Sequence, residues 1–180
     1  RIVRMFGYGF LSVVLVLYLA ADGLGEQAIG LLLTLTLLGD AAISLVMTTS
    51  ADRIGRKRML ILGAALMALA GVAFVMTNNF ILLIVAAVVG VISPSGKEIG
   101  PFLSIEQAAL SQLLEDKHRT RVFAWYNLVG SFATAFGALA GGWLADGLQT
   151  SGYSVLESYR VVLMGYASCG LLLAALFFFL

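Results

Sequence analysis

Apolar residues run through this chain in long blocks, and polar residues gather in the short gaps between them. Five blocks lie at 1–22, 27–50, 57–77, 121–145 and 159–180. Each is close to the length of about 20 residues that carries a helix across a hydrocarbon core. Another begins at Phe80 and stays apolar only to Ser93. At about 1.5 Å per residue it would reach about 21 Å, short of the about 30 Å a span needs. The fourth span is therefore expected to run from 80 to 112. Ser93-Pro94-Ser95-Gly96 and Pro101 would break it near 93–101. The pattern predicts an all-α membrane protein with six transmembrane helices.

Composition agrees with the pattern. The chain is 61% hydrophobic and 12% charged, with a mean hydropathy of +0.99; soluble domains carry about twice that share of charge. The net charge of +1 is spread by loop and gives no nucleic-acid footprint. Cys169 is the single cysteine, so no internal disulfide can form. Ten of the eleven cations, from Arg1 to Arg121, fall in or toward the odd-numbered connections, and Arg160 lies across the membrane from them. Lys and Arg collect on the cytoplasmic side, which places both ends of the segment in the cytoplasm of a plasma-membrane protein. Trp125 and Tyr126 then sit at the inner interface, and Trp143, Tyr153 and Tyr159 at the outer one. Both ends read as cut, as in a half of a longer chain.

The second and third spans are joined by Asp52-Arg53-Ile54-Gly55-Arg56-Lys57-Arg58. A glycine lets the chain reverse there within a few residues. The D-R-x-G-R-K-R pattern resembles the signature between the second and third helices of the major facilitator superfamily of transporters, with Thr48 where that family usually has glycine. The Glu115–Arg121 stretch is similar to the family's E-R-G-R-A signature, with Thr120 at the usual glycine. Gly137-Ala138-Leu139-Ala140-Gly141-Gly142 resembles its fifth-helix G-P-x-x-G-G pattern, with Ala138 at the proline. Gly137, Gly141 and Gly142 read as helix-packing positions, because G-x-x-x-G lets backbones approach.

The resemblance covers the whole chain. It implies the N-terminal six-helix half, built as two inverted three-helix repeats, with a C-terminal half of six helices missing from this segment. The echo of Ala51-Asp52 in Ala145-Asp146 fits such a repeat. It also implies that Asp52, Arg53, Gly55, Arg56 and Lys57 gate the conformational change. The function expected is secondary active transport of a small solute by alternating access, ion- or proton-coupled and of symporter type. A six-helix oligomeric carrier or channel and a non-transporting sensor of the same fold are the alternatives.

Ionisable groups inside a bilayer are costly and tend to face a bundle interior or a wet cavity. Asp40 lies mid-way along the second span, and Lys97, Glu98, Glu106 and Gln107 follow the break in the fourth. These five are the expected substrate-binding or ion-coupling residues. Glu106 is about two turns from Lys97, so at least one of the charged residues needs a partner from another helix. No nucleophile–base pair, phosphate loop or paired metal ligands appear. His118 reads as a solvated surface residue, and no enzyme activity, cofactor or metal is expected.

Overall fold

The computed structural model describes residues 1–90, 92–94, 96, 101–114 and 116–179, apart from the side chains of Pro101, Leu113, Asp116 and Lys117. Lys97, Glu98 and Glu115 lie outside the described residues. The described chain forms eight helices and no strand: α1 (Ile2–Ser12), α2 (Leu15–Ala21), α3 (Glu26–Ile54), α4 (Arg56–Met76), α5 (Phe80–Val89), α6 (Pro101–Leu113), α7 (Asp116–Thr150) and α8 (Val155–Phe179). Among the described residues, five helical segments are long and apolar enough to cross a membrane, with α1 and α2 counted together.

Several joints have a local cause. The Ser12 hydroxyl donates to the Gly9 carbonyl at 2.9 Å. The Val14 N–H then reaches only to Leu11 O, at 3.0 Å. A side chain competing for helix carbonyls marks the step between α1 and α2. Gly55, at φ +105°, joins α3 to α4 alone, in a conformation that only glycine adopts cheaply. Asn79 starts α5: its Oδ1 accepts the N–H groups of Ile81 and Leu82 at 3.0 and 3.4 Å. Ser154 and Glu157 form a reciprocal capping box on α8, at 3.0 and 3.2 Å.

The helices overrun the expected spans at several ends. α3 continues to Ile54, and α8 begins at Val155. α7 takes in the charged stretch from Asp116 and runs unbroken past Ala145-Asp146-Gly147 to Thr150. That Asp therefore lies within a helix, whereas Asp52 lies in the last turn of α3. A 35-residue helix is about 52 Å long, so α7 extends past the hydrocarbon core into water.

α8 packs against α1, α2, α4 and α7, and α1 is the partner of α7. α3 lies along α5 and α6. The buried stripe of α1, Arg4, Tyr8 and Leu11, recurs at helical spacing and continues into Leu15 of α2. α1 and α7 meet backbone to backbone. A Cβ on Gly9 would collide with the Thr134 carbonyl, and Cβ atoms on Gly137 and Gly141 would collide with the carbonyls of Phe6 and Phe10. Gly142 differs from the expectation: a Cβ there would meet nothing within 4 Å. It is the next residue along, turned about 100° from Gly141, and so faces away from α1.

The stretch expected to form the fourth span holds two helices. α5 ends at Val89, capped by Gly90, and α6 begins at Pro101. Between them Ser93 is buried, and a Cβ on Gly96 would sit 3.3 Å from the Ser12 hydroxyl. α6 is a packed element: Phe102 lies against Gly63 of α4, and Ile105 joins Met47, Ala51 and Met59 in a buried cluster.

Candidate functional site

Three helices bring charge together at one end of the bundle. Arg4 comes from the buried stripe of α1 and is 0% exposed. Its guanidinium donates to both carboxylate oxygens of Glu106 on α6, Nη1 to Oε1 at 2.6 Å and Nη2 to Oε2 at 2.8 Å. The Tyr126 hydroxyl on α7 donates to Oε2 at 2.6 Å. The guanidinium also lies 4.5 Å from the centroid of the Phe102 ring, one turn before Glu106. A two-pronged guanidinium–carboxylate contact is the geometry that best offsets the desolvation of two buried charges. Arg1 stacks 3.6 Å over the Tyr126 ring and reaches Asn127 Oδ1 at 3.4 Å. A cavity of about 350 Å³ opens beside this cluster, lined by Arg1, Arg56, Glu106 and Tyr126 with an apolar wall of Leu60, Ile105 and Phe177. It could hold a small molecule with one anionic and one apolar part.

The basic turn closes onto the same helix. Arg56 is the first residue of α4. Its Nη1 donates to Gln112 Oε1 near the end of α6 at 2.8 Å, and its Nη2 lies 3.4 Å from Asp52 Oδ1 in the last turn of α3. Asp52, Arg53 and Lys57 are exposed. α3, α4 and α6 are thus pinned together through one guanidinium.

Asp40 stands apart. It is the central residue of α3, with 14 residues on either side. It is 1% exposed and belongs to the inward stripe of Leu32, Thr36, Gly39 and Met47. Neither carboxylate oxygen has a hydrogen-bond partner among the described residues, and neither has the hydroxyl of Tyr166 on α8. Tyr166 lies within electrostatic reach of Asp40, Tyr8 and Cys169.

Of the residues expected from sequence, Glu106 and the basic turn share one end of the bundle, and Asp40 lies deeper. Gln107 is half-buried beside Glu106; Lys97 and Glu98 fall outside the described residues. Arg4, Tyr126, Phe102, Gln112 and Tyr166 were not anticipated. Arg4 looked like a flanking cation. Its spacing of four from Tyr8 and seven from Leu11 carries the signal that it shares their buried face.

The sequence profile of the Major Facilitator Superfamily matches residues 1–180. The uncharacterized membrane protein YJR124C of Saccharomyces cerevisiae is 42% identical over 166 residues. That match takes in 91% of this chain and 37% of the yeast protein, so the chain spans little more than a third of that relative's length.

Proposed function

The chain belongs to the major facilitator superfamily, and from that premise we propose that it forms the N-terminal half of a secondary active transporter. The half has six spans, with α5 and α6 together making the fourth. Helix contacts support a reading as two inverted repeats. The first span lies along the fifth, the fourth lies along the second, and the third lies along the sixth. Exchanging the repeats maps the first pair onto the second and the third pair onto itself. A second half of six helices completes the path, in the plasma membrane, with both ends of this segment cytoplasmic. The cargo is a small solute moved by alternating access with ion coupling. Asp40, Lys97, Glu98, Glu106 and Gln107 supply the solute and ion contacts. Asp52, Arg53, Gly55, Arg56 and Lys57 act as the latch.

The observation that carries this reading is the double engagement of Arg56 with Asp52 and Gln112. It ties the charged turn to the helix that bears Glu106, so a change at one is felt at the other. Such a latch sets the balance between inward- and outward-facing states rather than the affinity of the site. A solute-uptake screen on cells expressing the full reading frame comes first. In a responsive assay, Asp52→Asn should slow uptake about tenfold, the effect of about 1.4 kcal/mol, with solute binding retained. Normal uptake by Asp52→Asn would reduce the turn to a topology signal.

A further inference from the structure

We propose that the cleft around Arg1 binds an anionic phospholipid, with its head group on Arg1 and Arg56 and an acyl chain in the groove between α1, α7 and α8. The inference rests on the chain's place in a bilayer and not on solute transport.

The cavity beside Glu106 has a neighbour of about 570 Å³. The two share Arg1, Leu110 and Tyr126, so they are two arms of one cleft. Each arm has the volume of a ligand pocket. The larger arm is apolar. Val122 and Val129 line it from α7, Leu173 and Leu176 from α8, and Ile2 and Val3 from α1. Val122 and Val129 are two turns apart, so this arm runs about 10 Å along the helix axis. Ile2, Trp125, Val129 and Leu176 at its mouth are exposed. All of them belong to helices long and apolar enough to span a membrane, so the mouth opens onto lipid rather than water. Trp125 suits the head-group level, where tryptophan rings collect.

The smaller arm carries the charge. Arg1 and Arg56 line it with one acid, Glu106, whose two oxygens already accept from Arg4 and Tyr126. Its balance is therefore positive. Arg1 is held where the arms meet, stacked on the Tyr126 ring and bonded to Asn127. Gly130 leaves it room, since a Cβ there would sit 2.6 Å from its Nε. A guanidinium fixed in place loses little freedom on gripping a phosphate, and its fork of N–H donors matches that group. A soluble anion would leave the apolar arm unfilled, and a lipid without net charge would leave the positive balance unmatched. An anionic phospholipid answers both, and basic pockets between spans take such head groups. The groove between α4 and α5 is the contrast. It has about 350 Å³ and no charged residue in its lining, so it offers a place for a chain and none for a head group.

The test is native mass spectrometry of the purified full-length protein, titrated with phosphatidylglycerol or with phosphatidylcholine of the same acyl chains. The wild type should retain phosphatidylglycerol in preference. Arg1→Gln should lower that retention about fivefold, the effect of about 1 kcal/mol for one cation near an anionic lipid. Val129→Trp, which fills the apolar arm, should lower it as well. Leu69→Trp, in the groove between α4 and α5, should leave it unchanged. Equal retention of the two lipids by the wild type would overturn the proposal. So would unchanged retention in Arg1→Gln or in Val129→Trp; if one of these does not fold, the other decides. A loss in Leu69→Trp as large as in Val129→Trp would mean lipid held without a defined site, and would also overturn it. Displacement of phosphatidylglycerol by equimolar glycerophosphate would identify a site for a soluble phosphate instead, and the lipid would be ruled out.

Discussion

At the scale of single residues, Arg4 and Glu106 stand or fall together. Each is buried charge made tolerable by the other. Arg4→Met leaves Glu106 with Tyr126 alone, and removing one member of a buried pair costs about 3–5 kcal/mol. Arg4→Met combined with Glu106→Leu removes both charges and should recover most of that loss. Thermal unfolding of the purified protein in lipid nanodiscs reads both. A double variant no more stable than either single one would mean that the pair does not carry the coupling. The sequence showed that at least one of Lys97, Glu98 and Glu106 needed a partner from another helix or from the cavity contents. It could not say which, since the partner of Glu106 is 102 positions away and only tertiary packing brings α1 beside α6. Asp40 was legible for the opposite reason. A lone carboxylate in an apolar run is conspicuous without any knowledge of what surrounds it.

At the scale of elements, the α1–α7 seam is the least forgiving contact. Gly9, Gly137 and Gly141 meet backbone, which cannot rotate away as a side chain can. Gly137→Val should therefore separate the two helices and sharply lower the yield of monodisperse protein. Gly142→Ala faces open space and gains helix propensity, so it should be neutral or stabilising by up to about 1 kcal/mol. Size-exclusion profiles of the two variants check this; indistinguishable profiles would remove glycine packing as the reason for the seam. The G-x-x-x-G motif announced a close contact but not its partner, because Gly9 sits in α1 with no motif of its own. The break in the fourth span was legible as a shortfall in length. The step at Val13–Val14 was not, since it arises from one serine hydroxyl bonding its own helix.

At the scale of the whole molecule, the distribution of cations predicts which loops face which side. Single cysteines at Asn79 and Gly152, in a Cys169→Ala background, should react with an impermeant thiol reagent added outside intact cells. One at Arg58 should react only after permeabilisation; labelling of Arg58 from outside would invert the topology. Arg160 fits this arrangement locally, donating to Asn78 across the loop at 3.3 Å. The all-helical membrane class was readable because a bilayer imposes length and composition together. Helix ends were not, because α3 and α7 run on into water, where composition no longer marks them.

The joint at Gly55 is one residue long. A longer loop would act as a tether and let its two helices tilt separately. This one acts as a crank, passing any tilt of α3 to α4 within about 7 Å of chain. Through Arg56 and Gln112 the same motion reaches α6. The ends of these three helices therefore turn as one plate, and the plate carries Glu106 with it.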